Sequence, residues 1–442
     1  MQPFRIWFEG ADREAGTGAI RMEVAQHTVT RLENRLENTT RDAVRAGIDT
    51  LALWLAANWW RLRWEPSGTG PDWAMSHCLA AAGEGYVWPD LTLWSDGEAM
   101  WAQCGTTDCE SGEPVRFLTA FSPTHFPVEA FETGVDTFME KALDCLPGEW
   151  ERTRAIREIW EAVKAEREDR EATAHRKLEA LLGHDPDEVP ENTMRAMKQA
   201  VDDYGRGATA ELAVAGRTGA VEYLQELRER AGGHAVPAHM AHLEAVRRQL
   251  STGRDAMRLP WQRAEHAAGL VRSHESLAGD LLDDKTLAGM AGVGPDVLSA
   301  KGRAIKAPYS VAFRDPENPD RNRVFLGKAH STQRRFYLAR LIGDYLDGPA
   351  DDRLLPATNT YTARQKFQRA FAQELLCPFE ALKAFLAEET GVSDPDLLAD
   401  YGDELLDEDV IQDAADHFAV GGRLITTKLV NKGILSRDVL PG

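Results

Sequence analysis

Apolar positions change period several times along the chain, and each change marks an element. A first short segment occupies residues 5–8, and a charged helical stretch begins at Val24. Val44, Ile48, Leu51, Leu55 and Trp59 then recur at the spacing of one helix face, which Pro66, Gly68, Gly70 and Pro71 end. Past Tyr86 the period becomes two. Leu91 and Leu93, the turn residues Ser95-Asp96-Gly97, then Ala99 and Trp101 predict a β-hairpin, followed by a strand at 115–121 and a helix at 128–146.

From 150 to 182 acids and bases alternate without a strong breaker, which predicts one long solvated helix up to Asp185-Pro186. Ala-, Leu- and Arg-rich helical patterns resume over 192–231, 237–250 and 261–272. Beyond Leu287, 309–314 and 323–326 are β-like runs joined by Asp315-Pro316-Glu317-Asn318-Pro319-Asp320, again a hairpin. Ser331 or Thr332 then caps a helix to 346, a second covers 362–376 before Pro378, and two short helices, 410–418 and 423–431, meet at Gly421-Gly422.

The fold class expected is mainly α with α+β parts. Nine of the 12 tryptophans and four of the five cysteines fall in the first 147 residues. That shift, with the helical middle, suggests a mixed α/β domain at 1–147, a helical domain at 148–300 and a third domain at 301–442. A net charge of −20 argues against non-specific binding to nucleic-acid backbone or anionic lipid. With no long apolar run, an N-terminus unlike a signal peptide and an odd number of cysteines, the expectation is a cytoplasmic protein with no membrane contact.

Familiar catalytic motifs are missing. Gly83-Glu84-Gly85 and Gly205-Arg206-Gly207 lack the third glycine of a dinucleotide loop, Gly327-Lys328 lacks the upstream glycine of a phosphate loop, and no Gly-x-Ser-x-Gly elbow occurs. Cys104 and Cys109, with His77, Cys78 and His125, allow a zinc cluster only if the hairpin gathers them, and a second cysteine pair is missing. His234, His239 and His242 read as a solvated cluster, and Trp54, Trp59, Trp60 and Trp64 as core, although Arg61 and Arg63 leave a phosphate contact open. No cofactor is expected.

The most specific pattern is in the last third. Helix residues Arg334-Arg335-Phe336-Tyr337-Leu338-Ala339-Arg340-Leu341-Ile342-Gly343-Asp344 follow a hairpin, and Phe371-Ala372-Gln373-Glu374-Leu375-Leu376-Cys377-Pro378 ends the next helix. This order, with the tail at 409–435, resembles the ImmA/IrrE family of zinc metallopeptidases over about residues 300–435. By that resemblance Phe336, Ala339, Gly343 and Phe371 are helix and groove scaffold. Arg340 and Asp344 stand where the two histidine ligands would be, Leu341 where the general base would be, and the third ligand falls between Gln365 and Phe367. Arginine cannot ligate a metal and leucine cannot take a proton, so the resemblance implies a retained scaffold with a dismantled site and no metal. Glu374 and Cys377 could be offered as relic ligands, but fit better as a solvated side chain and a packed one.

Arg340 and Asp344, at i and i+4, are expected to pair in place of the metal. The function expected is a non-catalytic pseudo-peptidase acting as a protein-interaction or regulatory module, in phage defence, a toxin-antitoxin pair or transcriptional control as the resemblance implies. Its partner would be another protein chain with a neutral or basic contact surface, bound in the groove beside the 335–346 helix. Two alternatives stay open. One is an enzyme whose site in the N-terminal domain draws on His77, Asp90, Asp96, Cys104 and His125; the other is a nucleic-acid sensor using Arg423, Lys428 and Lys432 in the C-terminal tail. The acidic segment 388–416, with 12 acids and no Lys or Arg, is either a solvated face or a docking surface.

Overall fold

A computed structural model describes residues 3–107, 114–253, 259–277, 281–299, 305–315, 317–318 and 321–439. The fold is mainly helical with several small antiparallel sheets, as the periodicity predicts. Cα packing groups residues 1–195, with 216–220 and 361–363, into one unit and the remainder into a second.

In the first unit β1 (Phe4–Asp12), β2 (Thr17–Val24), β3 (His27–Thr28) and β6 (Val44–Gly47) form one sheet. A second contains β4 (Leu32–Asn34), β5 (Thr39–Arg41) and β9 (Val115–Phe117), and a third contains β7 (Asp90–Ser95), β8 (Ala99–Gly105) and β10 (Phe121–Pro127). The helix expected from Val24 is therefore replaced by short strands. Val24 pairs with Phe4 in the β1–β2 ladder, and Thr30 Oγ1 accepts from Met22 N–H at 3.0 Å while donating to Asp42 O. Distant pairing overrides a weak local helix pattern. The β7–β8 hairpin turns where expected, with Asp96 Oδ1 accepting from Glu98 and Ala99 N–H.

Helices α1 (Ile48–Trp64), α2 (Pro71–His77), α3 (Val128–Cys145), α4 (Glu151–Glu168) and α5 (Arg170–Leu182) complete this unit. Its core joins Ile20, Leu51, Leu55, Trp59, Phe131 and Phe138 to Ile156, Trp160 and Ala180, so α4 and α5 share a core with the segment before residue 147. The single helix expected over 150–182 is two, because Asp169 leaves helical geometry and its carboxylate caps α5, accepting from Glu171 and Ala172 N–H. Gly134 lets α3 meet β1: a Cβ there would stand 2.9 Å from Phe4 O. Trp54, Trp59 and Trp60 are buried, in keeping with a core role.

The chain enters the second unit within α6 (Glu191–Tyr204) and continues through α7 (Arg206–Gly216), α8 (Ala220–His234), α9 (Glu244–Gly253), α10 (Pro260–His274) and α11 (Asp284–Met290). Its sheet runs β11 (Val236–Pro237), β13 (Arg323–Leu326), β12 (Ser310–Phe313), β14 (Leu354–Ala357), antiparallel throughout. The hairpin expected at 309–326 is present, although Pro316, Pro319 and Asp320 of its turn lie outside the described residues. Helices α12 (Ser331–Asp347), α13 (Ala363–Leu376), α14 (Phe379–Thr390), α15 (Leu398–Leu405), α16 (Glu408–His417) and α17 (Gly422–Asn431) follow. His330, not Ser331 or Thr332, is the N-cap of α12, without a side-chain bond. One apolar core spans Ala238 to Leu435, so α9–α11 pack with the hairpin and α12 around one centre. Among the described residues no helix is long and apolar enough to cross a membrane.

Candidate functional site

The residues that the family resemblance singles out converge around α12, β14 and α13. Gly343 is where α12 and α13 approach: a Cβ there would fall 2.7 Å from Phe371 Cδ1, and Phe371 is fully buried. Ala339 and Leu341 are buried core, and Phe336 is half-buried over the same cluster. Leu341 therefore contributes packing and no proton chemistry.

Arg340 and Asp344 are each 1 % exposed, yet the ion pair expected between them does not form. Arg364 takes Asp344 instead, in a fork with Nε–Oδ1 at 2.7 Å and a second N–H to Oδ2 at 2.8 Å. Helical spacing puts Arg340 and Asp344 on one face, but the planar guanidinium from α13 matches both carboxylate oxygens at once, which an i, i+4 neighbour does not. The remaining arm of Arg364 reaches Asp352 at 2.6 Å, and the other oxygen of Asp352 accepts from Gly207 N–H at 3.0 Å. Burial alone would lower the Arg364 pKa; the two carboxylates outweigh it and raise it. Burial pushes Asp352 up against that same attraction.

Arg340 turns to neutral partners. It donates to Thr358 O at 2.7 Å and to Gln365 Oε1, over the Tyr337 ring at 4.7 Å. It has no carboxylate partner among the described residues, and burial, reinforced by Arg369, pushes its pKa down to about 9. It is still charged at neutral pH. Arg340, Asp344 and Asp352 are buried and Arg364 is nearly so; their four formal charges cancel, with buried Arg314 also in the field of both carboxylates.

Gln365, at the third-ligand position, is fully buried and its amide is fully used: Oε1 also accepts from Thr358 N–H at 2.9 Å, and Nε2 donates to Pro356 O at 2.8 Å. Gln368 Nε2 reaches the same carbonyl at 3.0 Å. Thus β14 offers no N–H at Pro356, and its carbonyl there is capped twice. Every α12 residue from Tyr337 to Leu346 is buried as well. The groove expected along this helix is therefore filled by the chain itself, a correction that follows from α12 being the centre of a core and not its wall.

The two relic candidates also differ from expectation in part. Cys377 is buried, and burial pushes its thiol up to about 12. Glu374, expected in solvent, forms an ion pair with Lys428. Lys428 is 3 % exposed and Lys432 pairs with Glu265 at 2.8 Å, so two of the three cations offered for phosphate contact are already used.

The N-terminal candidates are engaged locally, Asp96 and His125 both on Trp101 and Asp90 beside Cys78 and Cys104. His77 is buried between Leu93 O (2.7 Å) and Glu65 (3.0 Å), and stacks on Trp73 at 4.4 Å. Cys104 Sγ donates to Thr119 O, burial pushing the thiol up to about 12. Asp96 bonds the Trp101 indole at 2.7 Å, His125 packs on Trp101 at 5.4 Å, and Asp90 accepts weakly from Cys78 Sγ. Cys109 lies outside the described residues. His239 precedes a short 3₁₀ turn, Ala241–Leu243, and His242 lies within it, so they do not share one helix face.

Among the described residues, the one group of side chains with metal-ligand spacing is His175, Glu179 and Asp187, which sequence reading missed. Arg176 already pairs with both acids at 2.8 Å, so this is an ion-pair network and a poor cation site. Its only sequence signal was Asp185-Pro186-Asp187 after a helix. No protein-family model, curated protein or solved structure matches the chain.

Proposed function

We propose that the chain is a non-catalytic protein-interaction or regulatory module whose C-terminal part keeps a peptidase-like arrangement of helices around a site rebuilt as structure. One observation carries the reading: the positions that would hold the ligands and the base are occupied by Arg340, Leu341, Asp344 and Gln365, each committed to core packing or to a buried hydrogen-bond network. Such a site holds nothing free to activate water or to bind a metal.

With the α12 groove filled, the surface that best fits a partner is the acidic one. Leu397 and Tyr401 are 43 % and 51 % exposed one helical turn apart, at the start of α15, among exposed Asp394, Asp400, Asp403 and Glu404. The occupant this surface suits is a basic segment of another protein presenting an apolar side chain. Changing Leu397 and Tyr401 together to serine should remove an intact, stoichiometric partner captured by the wild-type chain, and added salt should slow its association. A partner kept by this variant, or recovered only as cleaved fragments, would overturn the reading.

A further inference from the structure

At one end of the α1, α3, α4 and α5 bundle lies a cavity of about 490 Å³, within the size range of small-molecule sites. Half-buried Trp64 lines it together with the rims of Trp59, Trp60 and Trp160, which are otherwise buried in the core. Exposed Glu140, Lys164 and Glu168 also line it, so it opens to solvent.

Indoles here are already used as cation platforms. The chain's own Arg63 lies 3.8 Å from the Trp64 ring centre, Lys177 4.2 Å from the same ring, and Arg167 4.8 Å from that of Trp59. The indole N–H groups of Trp59 and Trp64 have no acceptor among the described residues, so these rings interact through their faces and not through their polar edges. Trp60 and Trp160 carry no such cation among the described residues.

Charge points the same way. Glu132, Asp136, Glu140 and Glu168 line the cavity, against Lys164 and Arg167. Glu132 is answered by Arg63 at 2.8 Å and Asp136 by Arg167 at 2.6 Å, while Lys164 turns to Glu161. Glu140 on α3 and Glu168 on α4 have no ion-pair partner among the described residues. Two spare carboxylates on two helices, over aromatic walls, match two cations joined by an apolar spacer.

We propose that this cavity binds a small organic dication of the linear polyamine class, its methylenes against the indoles and its ammonium groups at Glu140 and Glu168. An anionic ligand would face an excess of carboxylates, and a single ammonium would leave one of them unanswered.

Calorimetric titration of the full chain with 1,8-diaminooctane, a linear dication, at about 0.15 M salt tests this, an ionic strength that suppresses diffuse attraction to the acidic surface. One site per chain is expected, weakened at least about tenfold by E140Q/E168Q together. Both glutamates are exposed, so the variant should melt as the wild type does; E168K, which fixes a cation at the rim, gives a second reading should it not. N-acetylarginine amide, with one cation, should bind at least tenfold more weakly, and the uncharged 1,8-octanediol should not bind. Multiple sites, affinity indifferent to both variants, or equal binding of the single cation or the diol would overturn the proposal.

Discussion

Each unit buries a cluster of ionic side chains, and the two are built on opposite plans. In the first, one fully buried carboxylate, Glu65, collects two guanidiniums and an imidazole: Arg61 at 2.7 Å, Arg217 at 2.7 Å and His77 at 3.0 Å. In the second, one guanidinium, Arg364, holds two buried carboxylates, while Arg340 rests on neutral oxygens. Both plans leave one member on which the others depend. A buried pair gains little over an apolar replacement of the whole, but removing only the shared member strands the rest in a medium that penalises bare charge. The hub residues, Glu65 and Arg364, are therefore where each unit is most vulnerable.

The largest expected effect is at Glu65. Glu65→Gln keeps the shape but leaves Arg61, His77 and Arg217 facing a neutral amide, and should cost about 3–5 kcal/mol. Urea unfolding followed by tryptophan emission reads it, since every tryptophan except Trp261 lies within residues 1–195. A loss below about 1 kcal/mol would mean that the cations are solvated on unit opening and the hub is not one.

Arg364→Met comes next, at about 3 kcal/mol, because Asp344 and Asp352 lose their common cation. Arg340→Met should cost about 1–2 kcal/mol, as it strands only neutral acceptors and relieves the burial of a charge. Hydrogen exchange at α12 amides measures both. Equal losses at the two arginines would erase the contrast between a hub and a rider.

Acid titration sharpens the comparison. Burial opposes ionisation of Glu65, but hydrogen bonds and charge from His77 and Arg61 outweigh it and hold the carboxyl down at about 2, against an ordinary 4.5. A depressed folded-state value contributes stability that is complete above the unfolded pKa and disappears as pH falls from there through about 2. The contribution is at most about 3 kcal/mol. The first unit should lose stability over this window in the wild type and much less in Glu65→Gln; parallel pH profiles would dissociate the acid transition from Glu65.

These hubs also show what was and was not legible in the sequence. Both hairpins could be read because period-two alternation and turn residues such as Asp96 and Asp315 act locally. Gly343 and Phe371 were singled out through resemblance, and they touch. Strand β14 was missed: it has four residues and contains Pro356, which argues against a strand until its outer edge is seen to be closed by Gln365 and Gln368. Asp344 and its partner are 20 residues apart, on different helices, and no spacing rule reaches that far. Local periodicity suggested Arg340 because it was near in sequence; tertiary packing supplied Arg364.

At Gly343 the effect is smaller and its sign is a contest. Alanine improves helix propensity by about 1 kcal/mol, yet its Cβ would press on the fully buried Phe371 ring at 2.7 Å, and overpacking of this kind costs about 1–3 kcal/mol. A net loss of about 1 kcal/mol is expected, with Phe371→Leu partly rescuing it. Stabilisation by Gly343→Ala would show that α12 and α13 have room to separate, and would weaken the case that they frame a rigid site.

The smallest expected effect is a coupling. Asp344 is fully engaged by Arg364, and Arg340 donates to Thr358 and Gln365, so Arg340 and Asp344 interact only through the field they share. That field is real, since Asp344 helps to keep Arg340 charged, but it acts without a hydrogen bond between them. In double-mutant cycles with Asp344→Asn, Arg364→Met should show a coupling of about 2 kcal/mol and Arg340→Met about 0.5 kcal/mol, near the limit at which separate sites simply add. Comparable couplings would restore the i, i+4 pair as the replacement for a metal bridge. A fourfold difference would instead assign the bridging role to α13, leaving Arg340 as a cation that the neutral Gln365–Thr358 network holds and whose charge offsets the second carboxylate on Arg364.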